Sequence, residues 1–209
     1  MEAEMLGKLI DQVSGAIRDN ADDLTKLDQA IGDGDHGLNM KRGFDAVTEA
    51  REEIIGLAPA AALQKIGMTL VMKVGGASGP LYGSLFLGMS KVMTEPPRTA
   101  GAAADLLGAG IDAVMSRGKS TTGEKTMLDV LVPVRQALAE ASGLETKDAL
   151  EKLRAVARDS AEATIPMQAT KGRASFLGER SIGHMDPGAR SSALMVTAVC
   201  DALEGEGAR

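Results

Sequence analysis

The sequence predicts an all-α protein, one domain spanning residues 1–209 with about eight amphipathic helices. Three observations predict it. Apolar residues recur at helical spacing in segment after segment, whereas no stretch alternates with period two over a useful length. Aromatics are scarce, with three Phe, one Tyr and no Trp, so the core must come from Ala, Leu, Val, Ile and twelve Met. Such a core suits closely packed helices better than a β-sandwich, which draws on aromatic and β-branched residues. A chain of 209 residues is long enough for one sizeable core.

Each helix has its own justification. Residues 2–19 carry Met5, Leu6, Leu9, Ile10, Val13 and Ile17 on one face. Residues 38–54 form the second helix, after a glycine-rich loop. Residues 59–74 form the third, with Pro59 suited to a first turn. The fourth, 81–94, stops before "PPR". The fifth, 101–117, has many small residues that allow close approach to neighbours. The sixth, 124–141, contains Pro133, expected to kink it, and Thr121, Thr122 and Gly123 read as its cap. The seventh, 146–167, opens on Thr146, Lys147 and Asp148 as cap and first turn. The eighth, 188–204, follows a "DPG" turn with Pro187 at its first position.

Bulk properties exclude several classes. Net charge is −6, which argues against direct nucleic-acid binding while leaving room for a local basic pocket. No apolar run reaches the length of a membrane span, and the charged start "MEAEMLGKLIDQ" is no signal pattern. The single Cys200 lies in an apolar helical stretch. It reads as a core residue and fits a reducing, cytoplasmic setting.

The unusual chemistry lies in four glycine-rich loops, denser in glycine than ordinary helix connections require. In "IGDGDHG" (31–37), with Asp28 just upstream, three carboxylates repel one another unless a cation sits among them. A hard divalent ion such as Mg²⁺ prefers such oxygen ligands. Asp33 and Asp35 can point to one side of an extended backbone, and Asp28 closes the group from a preceding turn. His36 is suited to bond a phosphate or a carboxylate rather than the metal. The competing reading is a solvated acidic turn made of turn-forming residues. In "GGASGP" (75–80), glycines and Ser78 precede a helix whose first amides point back at the loop, an anion-binding arrangement, or else a flexible connector. "RGKSTTGEKT" (117–126) contains "GKST" but is not a P-loop, because the required first glycine falls at Ala113 and the preceding segment is helical. The fourth loop (171–192) carries Lys171, Arg173, Arg180, His184, Asp186 and Arg190. One or two of these cations are expected to meet phosphate and the rest to be surface charge.

Taken in order, "IGDGDHGLNMKRGF", "GGASGPLYGS", "TMLDVLVP" and "ATKGRASFLGERSIGHMDPGARSS" closely resemble the nucleotide-binding L subunit of dihydroxyacetone kinase. The resemblance runs from about residue 5 to 203. It implies a barrel of eight antiparallel amphipathic helices with ADP or ATP held in the loops at one end. It implies two Mg²⁺ ions on Asp28, Asp33 and Asp35, and nucleotide contacts from His36, Gly37, Leu38, Asn39, Ala77, Ser78, Gly118, Met127, Arg173, Asp186, Pro187 and Gly188. Gly34 stands where many relatives have Ala, a change that leaves the ligands intact.

The resemblance further implies phosphoryl transfer without a nucleophile on this chain. The substrate dihydroxyacetone is held on a separate K subunit, so this chain is expected to be incomplete alone. In one version of the system, bound ADP is recharged by a phosphohistidine on an M subunit of the phosphotransferase system. In the other, ATP exchanges freely. The standalone length favours the first. A two-chain kinase for another small ketose such as erythrulose is the alternative. A nucleotide-dependent co-regulator of a transcription factor is the alternative of another class, disfavoured by the intact Asp cluster. A homodimer is left open.

Overall fold

The computed structural model describes residues 3–207. It contains ten α-helices: α1 (Ala3–Asp19), α2 (Ala21–Ile31), α3 (His36–Glu49), α4 (Arg51–Ile55), α5 (Pro59–Lys73), α6 (Ser78–Val92), α7 (Ala100–Gly118), α8 (Leu128–Glu140), α9 (Thr146–Glu162) and α10 (Pro187–Gly207). A 3₁₀ segment, Arg173–Ser181, lies in the long connection before α10. Among the described residues there is no strand.

Eight of these helices close into a ring. Successive packed pairs run α1 to α3, α5, α6, α7, α8, α9 and α10, and α10 packs back on α1. These eight are the helices that periodicity picks out. The two it does not separate are α2 and α4. α2 falls between the first two expected helices, in a stretch assigned to neither; "ADDLTKLDQAI" buries Ala21, Leu24, Asp28 and Ile31 on one face, which is enough for three turns. α4 is split from α3 at Ala50, so the expected helix 38–54 is two pieces and its start moves back to His36. The expected start of the first helix at residue 2 lies outside the described residues.

Small residues set the ring's tightness. A Cβ on Gly88 would stand 2.5 Å from the Ala109 carbonyl, and one on Gly110 would stand 2.8 Å from the Leu85 carbonyl. Backbones of α6 and α7 therefore touch, as the small residues of that segment foretell. Inside, Ile17, Leu24, Met40, Leu70, Tyr82 and Leu128 are almost wholly buried in one cluster. Cys200 belongs to a second cluster on α8, α9 and α10, and burial pushes its thiol up to about 11, so it behaves as a core residue. α8 continues on both sides of Pro133. Pro59 and Pro187 each open a helix, as expected. Among the described residues no helix is long and apolar enough to cross a membrane.

Candidate functional site

The loop from α2 to α3 brings the three carboxylates together. Asp28 sits in the last turn of α2 rather than in a separate turn, and it is buried. Its Oδ2 accepts hydrogen bonds from the backbone amides of Asp35 (2.8 Å) and His36 (3.0 Å) at the start of α3. Those amides have no intrahelical acceptor, so Asp28 serves them from a neighbouring helix. Its Oδ1 faces Gly32, where a Cβ would stand 2.0 Å away; only glycine leaves that oxygen clear. Gly34 has φ +75°, the left-handed region that favours glycine, and it turns the chain between Asp33 and Asp35. Asp35 occupies the N-cap of α3, yet its side chain makes no capping bond.

One carboxylate oxygen from each of Asp28, Asp33 and Asp35 lies within 4.8 Å of the others. The donor set is all oxygen and includes a buried anion, which fits a hard divalent cation. Arg173 places its guanidinium 3.0 Å from Asp33 Oδ2, so a positive group already meets the cluster from the opposite loop.

Behind the carboxylates runs a buried hydrogen-bond chain. His36 Nδ1 lies 3.0 Å from Ser78 Oγ, and Nε2 lies 2.9 Å from Ser191 Oγ. Ser191 gives its own proton to the Pro187 carbonyl (2.9 Å). Its oxygen is then left to accept from the ring, which assigns the imidazole proton to Nε2. Burial lowers the His36 pKa, opposed by Asp28 and Asp35, and the ring is neutral. Nδ1 then accepts from Ser78, which directs the Ser78 proton at the imidazole and its lone pairs at the cavity. Tyr82 continues the chain, with its hydroxyl 2.7 Å from Ser191 Oγ and 3.0 Å from Ser192 Oγ.

The remaining walls come from segments 117–127 and 186–188. Thr121–Gly123 do not cap the sixth expected helix, which starts at Leu128 rather than 124. Asp129 supplies the capping instead. Its Oδ1 accepts from Gly123 N (2.5 Å) and its Oδ2 from Thr126 N (2.7 Å), folding the loop back over the helix start. At the other wall, Asp186 Oδ2 accepts from Ala189 N (2.7 Å) and opens α10. Burial pushes its carboxyl up to about 7, against the Ala189 bond and Lys125; Asp129 and Asp28 add to the rise.

These walls enclose a cavity of about 460 Å³. It is bordered by Asp28, Asp33, Asp35, His36, Ala77, Ser78, Gly118, Met127, Arg173, Asp186, Pro187 and Gly188. Four loops distant in sequence thus meet in one place. Three residues expected at the nucleotide stand back from its wall. Gly37 presses on α2, where a Cβ would stand 1.9 Å from the Ala21 carbonyl. Leu38 is 60% exposed. Asn39 is buried, and its Oδ1 accepts from Arg42 (2.7 Å) behind the 75–77 loop. From the long loop, Lys171 also reaches the cavity, whereas Arg180, His184 and Arg190 do not border it. Tyr82, Lys125, Asp129 and Ser191 are the contributors that sequence reasoning misses. Only Tyr82 carries a signal, as the single tyrosine of an aromatic-poor chain. A larger groove of about 750 Å³ on α5, α6 and α7 has Lys91, Arg117 and Lys119 on its wall but no carboxylate.

The chain belongs to the DAK2 domain family, which matches residues 30–201. Within that family it is similar to the ADP-binding subunit DhaL of dihydroxyacetone kinases. It is 47% identical over 176 residues to the PEP-dependent subunit of Escherichia coli, covering 83% of this chain and 84% of that one. It is 46% identical over 183 residues to a PEP-dependent subunit of Listeria innocua, covering 88% of each. It is 45% identical over 192 residues to the PTS-dependent subunit of Lactococcus lactis, covering 92% and 91%. The dihydroxyacetone kinase of C. freundii shares the fold, with a TM-score of 0.75 at 23% identity in its complex with AMP-PNP and Mg²⁺. This chain covers 34% of that longer one and 95% of its own length takes part.

Proposed function

We propose that this chain is the nucleotide-binding subunit of a dihydroxyacetone kinase. It holds ADP or ATP with two Mg²⁺ ions and passes the γ-phosphoryl group to dihydroxyacetone carried on a separate K subunit. The observation that carries this reading is the meeting of Asp28, Asp33 and Asp35 within 4.8 Å at a cavity that also takes in Ser78 and the start of α6. The three carboxylates hold the Mg²⁺ ions, which, when bound, neutralise phosphate charge. Ala77, Ser78 and the first amides of α6 face the phosphates. Arg173, paired here with Asp33, meets the negative charge of the nucleotide. His36 fixes Ser78 as an acceptor toward the cavity. No side chain here acts as a nucleophile.

The donor is proposed to be a phosphohistidine on an M subunit that recharges bound ADP. The relatives matched over most of their length are named as PEP- or PTS-dependent ADP-binding subunits. The erythrulose reading has less support, because the L-erythrulose 1-kinase of Mycolicibacterium smegmatis is matched over 33% of its length.

Calorimetry tests the metal assignment. Mg²⁺-dependent ADP binding is expected for the wild type and lost in Asp33→Ala; unchanged ADP affinity in the variant would sink it. The donor is tested by heat-denaturing purified protein and chromatographing the supernatant. Stoichiometric ADP is expected for the recharged-cofactor version, and an empty pocket points to free exchange with ATP.

A further inference from the structure

Lys125 borders the cavity, yet its ammonium is committed elsewhere. The residue is 1% exposed. Its Nζ donates to the carbonyls of Thr164 (2.6 Å), Met167 (3.1 Å) and His184 (2.5 Å), with Ile165 O at 3.4 Å as a fourth acceptor. Three protons meet four oxygens, so no donor is left for a ligand. Two of those carbonyls, of Thr164 and Ile165, lie just beyond α9, at the negative end of the helix dipole. The His184 carbonyl lies two residues before Asp186, at the approach to α10. The same connection is pinned by Gly183 N on Ile165 O (2.8 Å) and by Asp186 N on Thr164 Oγ1 (3.0 Å).

The backbone of Lys125 has φ +63°, a left-handed conformation that a lysine adopts only against strain. Glycine would relieve that strain but supply no cation. Strain retained at such a place indicates that the surrounding structure depends on the side chain.

We propose that Lys125 is a positioning residue: an internal cation that gathers the carbonyls of segments 164–167 and 184 and so sets the Asp186–Gly188 wall in its nucleotide-binding form before any nucleotide arrives. Without the ammonium, converging carbonyl dipoles repel, and the Met167 and His184 carbonyls lose their charged donor. The affinity part of this inference rests on the nucleotide-binding reading above; the preorganisation part does not.

Hydrogen exchange on the ligand-free wild type is the first arm. Within segments 164–170 and 183–187, the hydrogen-bonded amides of Met167, Ala169, Gly183 and Asp186 are expected to be protected. If they exchange freely and become protected only with Mg²⁺ and ADP, the proposal is overturned, whether or not any variant folds. The second arm compares Lys125→Met, similar in length and uncharged, with Lys125→Arg, which keeps the charge. Lys125→Met is expected to weaken Mg²⁺–ADP binding by about tenfold or more, the scale of one charged hydrogen bond, and to deprotect the two segments while α5 stays protected. Lys125→Arg is expected to recover part of the affinity. Met equal to or better than Arg would mean that volume rather than charge matters, and would overturn it. A wild type that binds no ADP would remove the nucleotide reading and leave the exchange arm to decide the role of Lys125.

Discussion

Asp186 illustrates how a single buried group sets a pH dependence. Its carboxyl is pushed up to about 7 by burial, from an ordinary value of 3.8. The folded chain therefore holds that proton where the unfolded chain has released it. Stability from this group is full below pH ~4, is lost as pH rises to ~7, and stays lost above. Asp186→Asn keeps an oxygen for Ala189 N and cannot ionise. Thermal melts of ligand-free protein are expected to show the variant equal to wild type near pH ~4 and more stable at pH ~8, with the gap opening between. A gap of equal size at both ends would mean that ionisation of Asp186 does not matter. At this same scale the sequence was only partly legible. Asp28, Asp33, Asp35 and Ser78 could be picked out because acidic and glycine-rich spacing is visible in one dimension. Lys125 could not, because its four acceptors are backbone carbonyls 39 to 59 residues away, and any residue type supplies a carbonyl.

At the scale of elements, α2 is the instructive case. It escapes a periodicity reading because it is 11 residues long and interrupted by three Asp and a Lys, yet it carries Asp28 and presses on α3. Gly37 makes that contact possible. A methyl group there would stand 1.9 Å from the Ala21 carbonyl and 2.4 Å from Thr25 Oγ1. Neither helix backbone can yield without shifting the loop between them. Gly37→Ala is expected to destabilise the fold by about 1–3 kcal/mol in denaturant unfolding. A loss of only a few tenths would show that α2 is loosely seated. The resemblance places Gly37 at the nucleotide; its packing gives it a task of its own, holding the helix that presents Asp28. α8 gives the complementary lesson. Thr121–Gly123 looked like a cap, but Asp129, inside the first turn, reaches back to two amides of the loop. Reaching back from inside a helix leaves no distinctive order of residues to read.

For the whole molecule, the eight long helices were legible because each repeats its apolar stripe over three or more turns, and small residues marked the fifth of them for close approach to a neighbour. How the ring closes, α10 on α1, was not, since nothing local joins residues so far apart in sequence. The family resemblance supplied that step. The ring also explains why the site lies where it does: each wall is a connection between ring helices, so a stable frame holds four loops against one cavity. The hydrogen-bond chain behind that cavity has an optical corollary. Tyr82 is the single tyrosine and there is no tryptophan, so emission excited at wavelengths beyond phenylalanine absorption comes from one ring, seated between the Ser78–His36 relay and α10. The protein therefore has a native one-fluorophore reporter on the wall of its own cavity, free of any competing indole signal.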